Sequence, residues 1–111
     1  MSDSAPRLVY MTTANRDEAQ RLGAMLVKER LAACVNILDG MTSMFWWENA
    51  VQSDSETVLI AKTRADLVPR LTERVKATHS YECPCVVSLA LDGGNPEFLA
   101  WIQTETEAAE E

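Results

Sequence analysis

The chain has 111 residues, of which 47% are hydrophobic, and its 17 acidic and 10 basic side chains give a formal net charge of −7. This length suits a single domain, and the acidic surplus, without any basic stripe, argues against binding to a nucleic-acid backbone. No apolar run approaches the roughly 20 residues of a membrane span, so no membrane partner is expected.

The first predicted elements are a strand over residues 8–13 and a helix that begins after Asn15. Asn15 and Glu18 have the spacing of a capping box, in which each side chain accepts a hydrogen bond from a free backbone N–H at the helix start. Leu22 and Leu26 follow at helical spacing and indicate the buried stripe of this helix. The chain is therefore predicted to open with a strand and a helix.

A long, bent pair of strands is predicted next. The first strand, over residues 33–47, is expected to bend at Asp39 and Gly40, since this dipeptide is typical of turns and bulges. Residues 49–55 are predicted to connect it to a returning strand over residues 56–63. The two strands are expected to form a hairpin.

The second half of the chain is predicted to repeat this pattern. Asp66 is the expected cap of a second helix, which tolerates Pro69 within its first turn. A fourth strand over residues 84–91 follows, and Asn95 and Pro96 begin a last helix as its cap and first residue. The order predicts an α+β fold, a ferredoxin-like βαββαβ sandwich with an added C-terminal helix.

The domain boundaries follow from composition. Residues 8–104 are predicted to form a single domain, between a flexible N-terminus over residues 1–7 and an acidic tail over residues 105–111. The three cysteines, an odd number, cannot all pair within one chain, which predicts reduced thiols and a cytoplasmic location.

Two apolar faces on one sheet predict an oligomer. Trp46 and Trp47 are adjacent on a strand, so they point to opposite faces, and helices on one side of the sheet can bury only one of them. The returning strand is also apolar on both faces, with Val58 and Ile60 on one and Leu59 and Ala61 on the other. Copies of the chain are expected to cover the second face. The alternative is that the hairpin folds over its own sheet.

Three sequence blocks carry a resemblance to a known family. LAACVNILDGMTSMFWWE, TVLIAKT and HSYECP occur in this order and at matching separations, and together they resemble the divalent-cation tolerance protein CutA family over residues 8–103. The resemblance implies a PII-like homotrimer in the cytoplasm, linked to copper and other divalent metals.

Four residues are predicted as metal ligands, namely Met11, His79, Cys83 and Cys85. The resemblance implies copper binding through a first-strand cysteine, where this chain has Met11, and through two histidines, where it has Thr78 and His79. Cys83 and Cys85 are two residues apart, so on a strand both thiols would point the same way and could hold one soft ion. The alternatives are that His79 interacts with its helix dipole and that the cysteines pack as apolar residues.

A ligand-binding cleft is the second predicted site. Lys62 ends a mostly buried strand, so it is expected to pair with a carboxylate or to face a cleft. The candidate carboxylates are Glu48, Glu56 and Glu82. The resemblance implies that several matching positions surround a cleft between subunits. Together the predicted cleft residues are Trp47, Glu48, Glu56, Lys62, Tyr81 and Glu82. The alternative is a solvated ion pair that joins subunits.

Two functions are predicted for this chain. The first is a divalent-cation, and specifically copper, tolerance protein that binds metal as a homotrimer. The second is a PII-like trimeric signalling or scaffold protein that binds a small ligand or anion in its clefts. Catalysis is not expected, because the sequence has no Gly-rich phosphate loop, nucleophile elbow or HExxH motif.

Overall fold

The computed structural model describes residues 3–106, so residues 1, 2 and 107–111, with most of the predicted acidic tail, lie outside the described residues. The elements in chain order are β1 (Pro6–Thr13), α1 (Arg16–Lys28), β2 (Cys34–Trp47), β3 (Ala50–Arg64), a 3-10 turn (Ala65–Leu67), α2 (Val68–Thr78), β4 (Val86–Ala90) and α3 (Pro96–Thr106). The strands form an antiparallel sheet in the order β2-β3-β1-β4. This confirms the predicted α+β, ferredoxin-like order with its added C-terminal helix. The domain boundaries stay a prediction.

The start of α1 forms the predicted cap. The Asn15 side chain accepts a hydrogen bond from the Glu18 backbone N–H at 2.9 Å. The Glu18 carboxylate reaches back to the backbone N–H of Ala14, also at 2.9 Å. The Asn15 contact satisfies an N–H group that a helix start leaves free, and the Glu18 contact holds the residue before the cap, so together they fix where α1 begins.

The hairpin is longer than predicted. β2 and β3 stay paired as far as Trp47 and Ala50, so the connection is the pair Glu48 and Asn49 and not residues 49–55. Both turn residues have positive φ, 51° and 65°, which is the geometry of a tight hairpin turn. The predicted bend is confirmed, because the register shifts around Gly40, whose φ is 79°.

Two smaller predictions need correction. Asp66 does not cap α2, since its carboxylate accepts a hydrogen bond from the buried Arg64 side chain at 2.9 Å and Leu67 takes the cap position. β4 begins at Val86 and not at residue 84. The last helix begins as predicted, with the Asn95 side chain accepting from the backbone N–H of residue 97 at 3.1 Å.

The core lies between α1, α2 and one face of the sheet, which we call the helical face. Val9, Met11, Leu59 and Ala61 on β1 and β3 have no exposed surface. They pack in one cluster with apolar residues of the two helices, Ala19, Leu22, Leu26, Leu71 and Val75. Strand alternation therefore directs every second residue of β1 and β3 into the core.

Gly23 lets α1 approach the sheet closely. A Cβ atom at this position would lie 2.9 Å from Val35 Cγ2 and 3.3 Å from Leu59 Cδ1. We expect Gly23→Val to destabilise the fold by about 3 kcal/mol, because overpacking forces the helix away from the strands. Gly93→Val is the matched control, since nothing lies within 4 Å of a Cβ there. Urea denaturation measures both, and equal stabilities would contradict the close packing.

The other side of the sheet, which we call the open face, is apolar and largely uncovered. Tyr10, Leu38, Ile60, Val87 and Leu89 lie on it, as the strand registers require. Leu38, Val87 and Leu89 are 56%, 52% and 51% exposed. The start of α3 reaches this face, because the Phe98 ring lies 5.6 Å from the ammonium group of Lys62.

The hairpin tip projects beyond the helices. Trp46 is 73% exposed and Trp47 is 50% exposed, so the expectation that the helices bury one of them is wrong. The radius of gyration, 14.5 Å, exceeds the roughly 13 Å of a compact chain of this length. The hairpin leaves Leu38, Val87 and Leu89 exposed, so it does not fold over its own sheet. None of the helices between residues 3 and 106 is both long and apolar enough to cross a membrane.

Candidate functional site

A cavity of about 730 Å³ opens where the hairpin meets the segment of residues 79–85. We call this segment the 79–85 loop. The residues that line the cavity come from β1, from both strands of the hairpin and its turn, and from the loop: Tyr10, Thr12, Ser43, Met44, Phe45, Trp47, Glu48, Gln52, Asp54, Glu56, Tyr81, Glu82, Cys83 and Cys85. Gln52, Asp54 and Glu56 alternate along β3, so these three lining residues point to the same side of the sheet as the open face.

His79 ties the 79–85 loop to β1. Its ring Nε2 lies 2.8 Å from the carbonyl oxygen of Thr12, which only accepts, so Nε2 carries the proton and donates. Nδ1 then accepts from the backbone N–H of Tyr81 at 3.0 Å. The His79 side chain is completely buried. Both ring nitrogens are therefore engaged in hydrogen bonds within the chain.

Glu18 fixes the other end of this connection. Its carboxylate accepts from the backbone N–H of Ser80 at 2.7 Å and lies 3.8 Å from His79 Nδ1. Burial raises the pKa of Glu18, but the hydrogen bonds from Ala14 and Ser80 outweigh it. The pKa therefore lies below its ordinary value of 4.5. One buried carboxylate thus joins the start of α1 to the loop that lines the cavity.

Tyr81 joins the 79–85 loop to β3. Its hydroxyl donates to the Glu56 carboxylate at 2.8 Å. Burial, and then the hydrogen bond and negative charge of Glu56, raise the pKa of the Tyr81 hydroxyl well above its ordinary value of 10. Tyr81 is therefore a fixed, neutral donor, and the Glu56 carboxylate is held on the cavity wall.

Two free thiols, Cys83 and Cys85, line the same cavity. Cys83 is exposed and Cys85 is half-buried. Burial, followed by the charge of Glu56, raises the pKa of the Cys85 thiol, while a hydrogen bond with Thr12 lowers it by less. Cys34 pairs with Lys62 on the strand ladder, away from the cavity, and its thiol is also free. Two soft metal ligands therefore line the cavity, but the expectation that they share a strand is wrong, because β4 begins only at Val86.

A single chain brings together only part of the predicted metal set. Met11 is buried on the helical face, whereas Cys85 lies beside Thr12 on the open face. His79 has both nitrogens in hydrogen bonds. Within residues 3–106, no three His, Cys, Asp or Glu side chains converge closely enough to hold a metal ion.

Most of the predicted cleft residues do meet. Five of the six line the cavity, namely Trp47, Glu48, Glu56, Tyr81 and Glu82. Lys62 is outside it, since its ammonium group donates to the Asn36 side chain at 2.7 Å and lies over Phe98. None of the carboxylates proposed for Lys62 is its partner in these contacts.

Sequence reasoning missed the remaining cavity residues on the strands, above all Tyr10, Phe45, Gln52 and Asp54. Gln52 and Asp54 lie four and two residues before Glu56 on one strand, so alternation would have placed them on its face. That signal was lost because residues 49–55 were predicted to be a connection and not a strand.

Comparisons with known proteins give one consistent result. Residues 7–105 match a family model described as CutA1 divalent ion tolerance protein. Over 99 residues the chain is 46% identical to Protein CutA 1, chloroplastic, of Oryza sativa and 42% identical to the divalent-cation tolerance protein CutA of Thermus thermophilus. Each alignment covers 89% of this chain, with 56% of the rice protein and 96% of the Thermus protein. The chain thus spans about half the length of the plant relatives.

The same relationship appears in three dimensions. The crystal structure of CutA1 from Oryza sativa matches with a TM-score of 0.90 at 43% identity, over 96% of this chain and 97% of that one. The ferredoxin-like arrangement described above is therefore shared with a solved relative, including the hairpin and the added helix within the aligned region.

Proposed function

The chain belongs to the CutA1 divalent ion tolerance family, and from that premise we propose that it binds divalent cations, copper in particular, as a homotrimer. The observation behind the metal proposal is that two free thiols, Cys83 and Cys85, line the same cavity as the carboxylates of Glu56 and Glu82. Thiolates favour soft ions such as Cu(I), and carboxylates add affinity for divalent ions.

The remaining metal ligands are expected to come from residues that do not meet at the thiols in a single chain as described. Within the described residues no complete set of three ligands converges, so a second copy or a rearranged 79–85 loop has to complete the coordination. His79 would have to exchange its hydrogen bond from the Tyr81 N–H for the ion, since Nδ1 is its one acceptor nitrogen. The role proposed is coordination, without turnover of a substrate.

Association of copies is proposed because the open face is costly to leave in water, and three copies are what the family resemblance implies. Leu38, Val87 and Leu89 are each about half exposed in one chain, next to Phe98 and Trp101 at 40% and 39%. Contiguous apolar surface of this kind is typical of a protein interface. Three free cysteines also support a reducing compartment, and we propose the cytoplasm.

Replacing both cavity thiols tests the metal proposal. We expect the variant Cys83→Ser with Cys85→Ser to lose saturable copper binding in calorimetric titration. Cys34→Ser is the matched control, because it removes a free thiol outside the cavity, and we expect it to bind as wild type does. Binding should strengthen as the pH rises above neutral, because the raised pKa of the Cys85 thiol leaves it protonated at neutral pH and the metal has to displace that proton. Unchanged copper stoichiometry in the double variant would refute the assignment.

The cavity itself favours the second function, small-ligand binding by a PII-like trimer. Its volume of about 730 Å³ lies within the range of small-molecule sites, and aromatic and polar side chains share its lining. A metal ion alone leaves most of this space without a role. A ligand signal that does not depend on metal would favour this function.

A further inference from the structure

The charged side chains that line the cavity all have the same sign. Four carboxylates face it, from Glu48, Asp54, Glu56 and Glu82, and the described lining contains no Lys, Arg or His. Lys62, the one basic residue predicted for this cleft, is engaged with Asn36 and Phe98 outside the cavity. An anion or a nucleotide phosphate would therefore meet repulsion, focused by the low-dielectric walls.

Aromatic rings line the cavity together with the carboxylates. Tyr10, Phe45, Trp47 and Tyr81 line the same cavity, and Trp47 stays 50% exposed there. The negative faces of aromatic rings attract organic cations, most strongly when tryptophan takes part. Rings contribute nothing to the coordination of a bare metal ion, so their presence indicates a ligand with carbon as well as charge.

The size of the cavity and the spacing of its carboxylates restrict the class of ligand further. The cavity of about 730 Å³ has room for roughly twenty waters, far more than one ion occupies. Asp54 and Glu56 lie two residues apart on β3, on one face and therefore about 7 Å from each other along the strand. Two ammonium groups on a short aliphatic chain can meet such a pair, while the chain lies against the rings.

We propose that the cavity binds an organic ammonium ion, with a short aliphatic diamine as the best fit. Trp47 and Phe45 supply the aromatic walls, and Asp54 and Glu56 supply the charge. The Glu56 carboxylate is held in place by the Tyr81 hydroxyl at 2.8 Å, so this part of the site is preorganised. This inference rests on the small-ligand function proposed above and names the chemical class of its ligand.

Titration of the full chain with 1,4-diaminobutane, followed by calorimetry in physiological salt, tests the proposal. We expect saturable binding, and no binding of the uncharged analogue 1,4-butanediol. Asp54→Asn and Trp47→Leu should each weaken the affinity by about tenfold. Glu73→Gln is the control, because it also removes one negative charge but lies on α2, outside the cavity, near Lys76.

Several results of these titrations would contradict the diamine site. No heat with the diamine, equal affinity in wild type and Asp54→Asn, or an equal loss in Glu73→Gln would overturn the proposal, the last because it indicates unspecific attraction to an acidic protein. Tighter binding of inorganic phosphate would overturn it as well. Copper titration of the same samples keeps the two proposals apart. If copper binds and the diamine does not, the diamine site alone fails, and the reverse result refutes the metal function alone.

Discussion

Replacing Val87 and Leu89 with aspartate is expected to convert the protein into a folded monomer. Both side chains are about half exposed on the edge strand β4 in a single chain, so two carboxylates there stay hydrated and the fold of one chain loses little. If copies cover the open face, the same carboxylates become buried without partners, which costs several kcal/mol for each of them. Association should therefore weaken by orders of magnitude.

Ser88→Asp is the matched control for this prediction. Ser88 lies between the two apolar residues on the same strand and is exposed, but its side chain is on the helical side of the sheet. Light scattering after size exclusion measures the mass, and circular dichroism confirms the fold. An unchanged mass for the double variant, or an equal loss of mass in Ser88→Asp, would refute an interface on the open face.

The second large effect is expected at Glu18. Glu18→Ala removes the acceptor for the backbone N–H groups of Ala14 and Ser80 and leaves both without their partner. Hydrogen bonds to a charged group contribute about 1.5–3 kcal/mol each, so we expect a loss of about 3 kcal/mol in the free energy of unfolding. The 79–85 loop should also lose its fixed position, which would weaken ligand binding in the cavity.

Glu18 also predicts a pH dependence. Because its folded-state pKa lies below 4.5, its contribution is fully present above pH 4.5 and is lost as the pH falls through the folded value. Urea denaturation at neutral and acidic pH should show a smaller loss on acidification in Glu18→Gln than in wild type. Asp17→Ala is the control, since its ion pair with Arg21 is exposed and contributes about 0.5 kcal/mol. Equal stabilities of Glu18→Ala and Asp17→Ala would contradict the role of Glu18.

Sequence patterns predicted the element order, because each helix has a cap or proline signal and each strand a run of apolar residues. They failed at the hairpin, where Gln52, Ser53, Asp54 and Ser55 form a polar run that lacks the usual strand pattern. The turn contains no glycine, although tight hairpin turns favour it. A strand that projects from the core needs no apolar alternation within its own chain, and this is why the prediction failed.

Sequence patterns identified most of the residues at the site but not the contacts between them. Trp47 and Glu56 share one side of the sheet because of the ladder between β2 and β3, whereas Glu48 lies in the hairpin turn and Tyr81 and Glu82 lie in the 79–85 loop. The register that adds Asp54 depends on the hairpin turn. The hydrogen bonds that engage both nitrogens of His79 come from backbone groups of β1 and of the loop. Such contacts depend on tertiary placement, so residue types and spacing contain no signal for them.

Copies of the chain are proposed to cover the open face and so to complete the cavity. Light scattering on the wild-type protein, diluted to micromolar concentration, tests this proposal most directly. We expect a stable mass near three times the 12.3 kDa of one chain. A mass of one chain at that concentration would contradict it.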